Sequence, residues 1–237
     1  DKVKDFEGQF ANMIGAPFAV MVNSGSSANL LAVAATVNSG RKNNLKRGDE
    51  ILVPAVCWST SVSPLVQLGL TPIFVDVDTK TLNMETRDLE SKITPRTKGI
   101  MSVHVLGNSC PMDQIERIVS KYKLIWIEDV CEALGSCAFD RALGTFGNFG
   151  TFSFYFSHHM TTGEGGIVIC KNQEDVDLLR SLRSHGWSRA LINQGEIEGK
   201  HPDIDPRFLF IHSGYNLRPM EVQAALDISQ LGRLAEM

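Results

Sequence analysis

Short apolar runs rich in valine and isoleucine, set between longer stretches of helical character, constrain this chain more than any other feature. The runs cover residues 18–22, 51–53, 73–75, 100–103, 124–127, 151–154 and 166–169. Their apolarity is continuous rather than alternating, which is the pattern of strands buried on both faces. Helix patterns occupy 26–37, 59–68, 113–122 and 174–183, and a late one runs over 218–234. Met112-Asp113 offers an N-cap for the third, with Glu116 three residues on as its capping-box partner. Strand and helix alternating at this spacing predict βαβ units with right-handed crossovers, hence an α/β fold on a mostly parallel sheet. The polar segment 191–206 reads as a loop or excursion.

Composition narrows the function classes. The 237 residues suffice for one sizeable α/β domain, and a net charge of -4 supplies no basic field for nucleic acid or anionic lipid. The apolar runs are too short to span a bilayer, and no charged-then-apolar leader opens the chain, so a cytoplasmic location is expected. The chain begins at Asp1 rather than methionine and reaches Met237 with a helix pattern still running, which suggests a fragment at both ends. Cys57, Cys110, Cys131, Cys137 and Cys170 contain no CxxC pair and match no common zinc spacing, so reduced thiols are expected and no metal site.

Three segments carry chemistry. Asn23-Ser24-Gly25-Ser26-Ser27 ends a strand and opens a helix, where backbone N–H groups and small hydroxyls form a ready phosphate cradle. Taken by themselves, those residues are accounted for more simply by a serine N-cap alone. Ile127-Glu128-Asp129 puts an acid at the carboxyl end of an apolar strand, where open α/β sheets bind ligands. Asp129 there suits a protonated pyridinium nitrogen, or it only caps a helix. Between Phe152 and Gly166, a strand runs into hydroxyls, the adjacent His158 and His159, and a glycine-rich turn. Adjacent residues point different ways, so the two histidines do not both face one site, and a solvated pair remains open.

With these segments in order, the stretch from Ala19 to Leu226 resembles the DegT/DnrJ/EryC1/StrS family of nucleotide-sugar aminotransferases. The matching motifs are Val22-Asn23-Ser24-Gly25-Ser26-Ser27-Ala28-Asn29, Gly48-Asp49-Glu50-Ile51-Leu52-Val53-Pro54, Ile127-Glu128-Asp129, Gly147-Asn148-Phe149-Gly150-Thr151-Phe152-Ser153-Phe154, Gly163-Glu164-Gly165-Gly166 and Gly214-Tyr215-Asn216-Leu217-Arg218. The resemblance implies the large domain of the aspartate aminotransferase-like (type I) fold, an αβα sandwich. Residues 1–237 would form that domain, which binds pyridoxal or pyridoxamine 5'-phosphate (PLP or PMP), and a C-terminal small domain would lie outside the chain.

One position departs from the family. Its members place a lysine six residues before the glutamate of the GEGG turn, and this chain has His158 there. The nearest downstream lysine, Lys171, lies past the next apolar run. Without an ε-amine the protein forms no covalent link to the cofactor's aldehyde. The substitution marks the nucleotide-sugar 3-dehydratases within the family. Pro54-Ala55-Val56-Cys57-Trp58-Ser59-Thr60, Tyr155 through His159, and His185-Gly186-Trp187-Ser188-Arg189 also resemble that subgroup. One of its branches carries an iron–sulfur cluster on cysteines that would fall between Ser188 and Tyr215. This chain has no cysteine beyond Cys170, so the cluster-free branch is favoured.

What the resemblance implies is specific. Ser26, Ser27 and Ser153 would hold the cofactor phosphate, and Asp129 would pair with the ring nitrogen. Trp58 would stack on the ring (a core tryptophan is the alternative), and Glu132 would lie near the ring hydroxyl. Asn216 would reach the cofactor of a neighbouring subunit, so a homodimer with shared sites is implied. His158 would serve as acid and base in removing the C3 hydroxyl of a nucleotide-linked 4-keto-6-deoxyhexose, with GDP-4-keto-6-deoxy-D-mannose favoured, and L-glutamate would restore the amine form. Such chemistry belongs to deoxysugar biosynthesis for lipopolysaccharide O-antigens. The other readings are a 4-aminotransferase of the same family and a non-catalytic cofactor- or sugar-nucleotide-binding paralogue.

Overall fold

A computed structural model describes residues 1–234. Its strands are β1 (Phe18–Val22), β2 (Glu50–Pro54), β3 (Thr71–Val75), β4 (Thr97–Val103), β5 (Ile125–Asp129), β6 (Cys137–Ala138), β7 (Arg141–Ala142), β8 (Phe149–Ser153) and β9 (Gly166–Cys170). The helices are α1 (Lys2–Ile14), α2 (Gly25–Val37), α3 (Ser63–Gln67), α4 (Thr86–Ser91), α5 (Met112–Tyr122), α6 (Gln173–Arg183), α7 (Gln194–Lys200) and α8 (Glu221–Leu231). Seven strands form one sheet in the order β1-β9-β8-β5-β4-β2-β3, and β6 and β7 make a separate small hairpin.

Continuous apolarity produces two cores, because successive strand side chains point to opposite faces. Ala19, Met21, Leu52, Ile100, Trp126 and Phe152 meet Phe6 and Phe10 of α1, Ile115 and Ile118 of α5 and Ala224 of α8 on one face. Val20, Val22, Ile51, Val53, Met101, Ile127 and Val168 meet α2, Leu65 of α3, and Leu179 and Leu182 of α6 on the other. The result is the αβα sandwich. Phe10 packs edge-on against both Phe152 and Phe154, with ring centroids 5.1 and 5.8 Å away. Truncating such a ring to alanine costs about 3–5 kcal/mol.

Strand direction sets where a site can form. The pairs β2–β3, β2–β4, β4–β5 and β5–β8 are parallel, while β9 runs antiparallel to both neighbours. The sheet is therefore mostly parallel, with one reversed strand that apolar periodicity does not reveal. The carboxyl ends of β1, β2, β4, β5 and β8 and the first residue of β9 share one edge.

Several local expectations need correction. The helix expected over 59–68 is broken into a 3-10 turn at Ser59–Ser61 and α3, because Pro64 has no N–H to continue a helix from the preceding turn. The capping box expected at Asp113 is absent: α5 starts at Met112 behind Pro111, with no side-chain cap, and Asp113 sits in the first turn. The last helix covers Glu221–Leu231 rather than 218–234, and the pattern continuing to Met237 lies outside the described residues. The 191–206 excursion contains α7, which buries no residue and carries a Glu196–Lys200 pair one turn apart. α1 was not anticipated, although Phe6, Phe10 and Ile14 mark its buried stripe.

Candidate active site

The turn after β1 is built around close approach. Ser24 caps α2, its Oγ accepting the Ser27 N–H at 3.1 Å, and the two hydroxyls lie 3.0 Å apart. A Cβ on Gly25 would come within 2.5 Å of Ser153 Cβ, so glycine is what lets the end of β8 reach the first turn of α2. Gly166 likewise has the Ser24 carbonyl where a side chain would start. Ser24, Ser27 and Ser153 thus converge with the α2 N-terminus, while Ser26 stands exposed beside them. That N-terminus, with its free N–H groups, suits an anion.

Asp129 ends β5, only 4% exposed, and three donors orient it. Asn29 Nδ2 donates to Oδ2 at 2.8 Å, Ser61 Oγ donates to the same oxygen at 2.7 Å, and the Cys131 N–H donates to Oδ1 at 3.1 Å. Asn29 is aligned in turn by Thr151 Oγ1, which donates to its Oδ1 at 2.6 Å. The broken helix at Ser59–Ser61 is what swings Ser61 to this carboxylate. The same turn places Trp58 at the mouth with its ring 73% exposed, which removes the core-tryptophan alternative.

Glu132 lies just beyond Asp129, and its Oε2 accepts the Leu106 N–H at 2.9 Å. Leu106 adopts φ 52° with its side chain exposed, an uncommon state for a non-glycine residue. His158 follows β8 in the loop, half-buried, while His159 is exposed. Burial holds the His158 imidazole below its usual range. The carboxylates of Glu132 and Asp129 pull upward against that, and His159 adds to the lowering. The ring is therefore neutral at pH 7, with a free nitrogen able to accept a proton.

Lys171 sits past the other end of β9, donating from Nζ to the Phe146 carbonyl at 2.6 Å, on the edge of the sheet away from Asp129. Asn216 is exposed, and its Oδ1 accepts from Arg218 Nε at 3.0 Å. The Leu217 carbonyl accepts the Asn23 N–H at 3.1 Å, which lays the Asn216 segment alongside the serine turn. Sequence reading missed Asn29, Ser61, Thr151 and Leu106. Asn29 and Thr151 lie inside quoted motifs, whereas Ser61 and Leu106 carry no local signal.

The donor set fits a flat phosphorylated pyridine. Trp58 offers an uncovered aromatic face, a buried oriented carboxylate stands at Asp129, and hydroxyls with helix N–H groups collect an anion. The family model for the DegT/DnrJ/EryC1/StrS aminotransferase family matches residues 1–237. The chain is 44% identical to GDP-4-keto-6-deoxy-D-mannose 3-dehydratase of Escherichia coli O55:H7, over 98% of this chain and 60% of the relative. It is 45% identical to the enzyme of that name from Yersinia pseudotuberculosis, over 99% and 60%. A crystal structure of GDP-4-keto-6-deoxymannose-3-dehydratase with a trapped PLP-glutamate geminal diamine superposes with a TM-score of 0.92 at 41% identity, covering 99% of this chain and 61% of that one. The chain thus spans about 60% of the length of the curated relatives it matches.

Proposed function

Because the chain belongs to the DegT/DnrJ/EryC1/StrS aminotransferase family, we propose that it forms the cofactor-binding part of a PMP- and PLP-dependent nucleotide-sugar 3-dehydratase. Its substrate is a nucleotide-linked 4-keto-6-deoxyhexose, with GDP-4-keto-6-deoxy-D-mannose favoured by the names of two relatives to which it is 44% and 45% identical. The observation that carries this reading is His158. A half-buried, neutral imidazole beside two carboxylates stands where an aminotransferase needs its lysine.

The residues divide the work. Ser26, Ser27 and Ser153 with the α2 N-terminus hold the phosphate, Asp129 faces the ring nitrogen, and Trp58 covers the ring. Glu132 lies toward the ring hydroxyl. When bound, the cofactor supplies an amine and an electron sink. His158 would take at its free imidazole nitrogen the proton released from the carbon that bears the cofactor's amine and, as imidazolium, deliver it to the C3 oxygen as the C3–O bond breaks, so that the hydroxyl leaves as water. Acid–base help of this kind contributes on the order of 10² to 10⁴ in rate. A lysine moves protons equally well but also captures the cofactor covalently, and histidine avoids that. Glutamate restores the amine form, in keeping with the glutamate adduct of the relative. Asn216 reaches the phosphate held by a second copy, making a homodimer with shared sites. A C-terminal small domain, which the family resemblance implies, would complete the sugar pocket.

Among the described residues no helix is long and apolar enough to cross a membrane. The buried free thiols Cys110 and Cys170 suit a reducing compartment, and the reaction belongs in the cytoplasm. The test is incubation of purified protein with PMP, glutamate and the GDP-4-keto sugar, followed by mass spectrometry. A 3-deoxy-4-keto product is expected. A 4-amino sugar as the product would replace this reading with an aminotransferase, and cofactor binding without any glutamate half-reaction would replace it with a binding paralogue.

A further inference from the structure

The loop from Phe154 to Gly165, which carries His158, is tied to a helix that enters none of the chemistry above. Met160 is fully buried in the cluster that includes Ala224 of α8. Next to it, Thr161 meets Gln230 of α8 at two points. The Thr161 N–H donates to Gln230 Oε1 at 2.9 Å, and the Thr161 carbonyl accepts from Gln230 Nε2. Two turns earlier on α8, Gln223 Nε2 donates to the Glu164 carbonyl. The Gln223 amide is itself oriented, because its Oε1 accepts the Met220 N–H at 2.8 Å.

These contacts form one row. Gln223, Asp227 and Gln230 are spaced by four and three residues, which puts them on a single helix face. Asp227 is fully buried between the two glutamines, and among the described residues neither of its oxygens has a hydrogen-bond partner. Gln223 and Asp227 on this face are buried and Gln230 is partly so, and the loop backbone is what both glutamines grip.

Ahead of Met160 the loop is open: the Tyr155 N–H donates to Ser153 Oγ at 3.3 Å, and residues 155–157 are exposed. Tyr155 is 38% and Phe156 65% exposed, and the His158 N–H donates to the Tyr155 carbonyl at 3.0 Å in a turn confined to the loop itself. Exposed loops with few buried contacts open at low free-energy cost. A general base displaced by about 1 Å loses much of its rate advantage. The burial of Met160, two residues from His158, and the grip on Thr161, three residues away, thus act together in limiting where the imidazole stands.

We propose that Gln230, seconded by Gln223, is a positioning residue for His158: α8 clamps residues 161–164 and thereby sets the imidazole against Glu132 and Asp129. The catalytic half of this inference rests on the function proposed above, and the positional half does not.

Two readouts separate those halves. In Gln230→Ala, exchange of the Thr161 amide hydrogen is expected to speed up tenfold or more. The His158 ring titration, followed by NMR, is expected to rise toward its ordinary value as burial is lost. In the same variant kcat for dehydration falls on the order of tenfold to a hundredfold, with KM for the sugar nucleotide nearly unchanged. Gln230→Glu keeps the acceptor for the Thr161 N–H and loses the donor, and restores part of both signals. It also serves if the alanine variant folds poorly. Unchanged Thr161 exchange and an unchanged His158 midpoint in Gln230→Ala would overturn the clamp. Shifted NMR signals with undiminished kcat would overturn its role in the reaction. If the parent protein shows no dehydration at all, the proposed function fails while the NMR arm still decides the clamp.

Discussion

Asp129 and Asp227 are both buried aspartates, in opposite surroundings. Asp129 receives hydrogen bonds from Asn29, Ser61 and the Cys131 backbone at the carboxyl edge of the sheet. Asp227 receives none among the described residues, and burial pushes its carboxyl up to about 8. One carboxylate is held in a fixed orientation by groups drawn from three separate elements. The other is buried without compensation on the helix that closes the loop. Burial alone therefore does not orient an acid in this molecule; a converging shell of donors does.

The largest expected effect comes from emptying that shell. Asp129→Ala should lower turnover on the order of 10² to 10³, the scale of losing one well-placed electrostatic partner. It also leaves the Asn29 and Ser61 donors unpaired, at a cost of about 1–3 kcal/mol in a denaturant titration. Asp129→Asn separates the two losses. It keeps an acceptor for the donors and should recover most of the stability, with little of the activity. If Asp129→Asn is fully active, the carboxylate is structural, like any satisfied core acid.

The opposite outcome is expected at the donor-less site. Asp227→Leu should raise stability by about 1–3 kcal/mol at pH 8. The gain has a defined pH dependence. The folded-state value near 8 lies above the unfolded value of 3.8, so the native state binds the extra proton between them. The parent therefore loses stability as pH rises through that window, and the advantage of Asp227→Leu should shrink toward pH 4. Melting curves at pH 5 and pH 8 check this. An advantage that grows toward acid pH would show that Asp227 has a partner.

A smaller effect probes the imidazole between the carboxylates. Glu132→Gln keeps an acceptor for the Leu106 N–H but removes a charge that pulls His158 upward. The His158 midpoint should drop further, and the acid limb of the pH–rate profile should move with it. A rising midpoint would mean that Glu132 acts on His158 through something other than its charge.

Much of this was legible in the chain, and the reasons differ from element to element. Continuous Val- and Ile-rich runs located all seven strands of the main sheet within a few residues; burial on both faces explains the central ones, whereas edge strand β3 is apolar with Phe74 half exposed. Direction is invisible to that pattern, so the reversal of β9 came only with the structure. Pro64 lay in plain view, yet what it did, breaking a helix to aim Ser61 at Asp129, depends on a partner 68 residues away. Ser61 and the α8 glutamines are ordinary residues locally and become informative only through long-range contacts. His158 stood out in the chain because a spacing of six from Glu164 is a local fact.

The account stands or falls on that residue. The direct measurement is the dehydration assay on His158→Lys, with cofactor retention followed by absorbance after gel filtration. Loss of the 3-deoxy product together with cofactor held covalently by the new lysine is the predicted result. Dehydration at the parent rate would contradict the assignment of His158 as the acid and base.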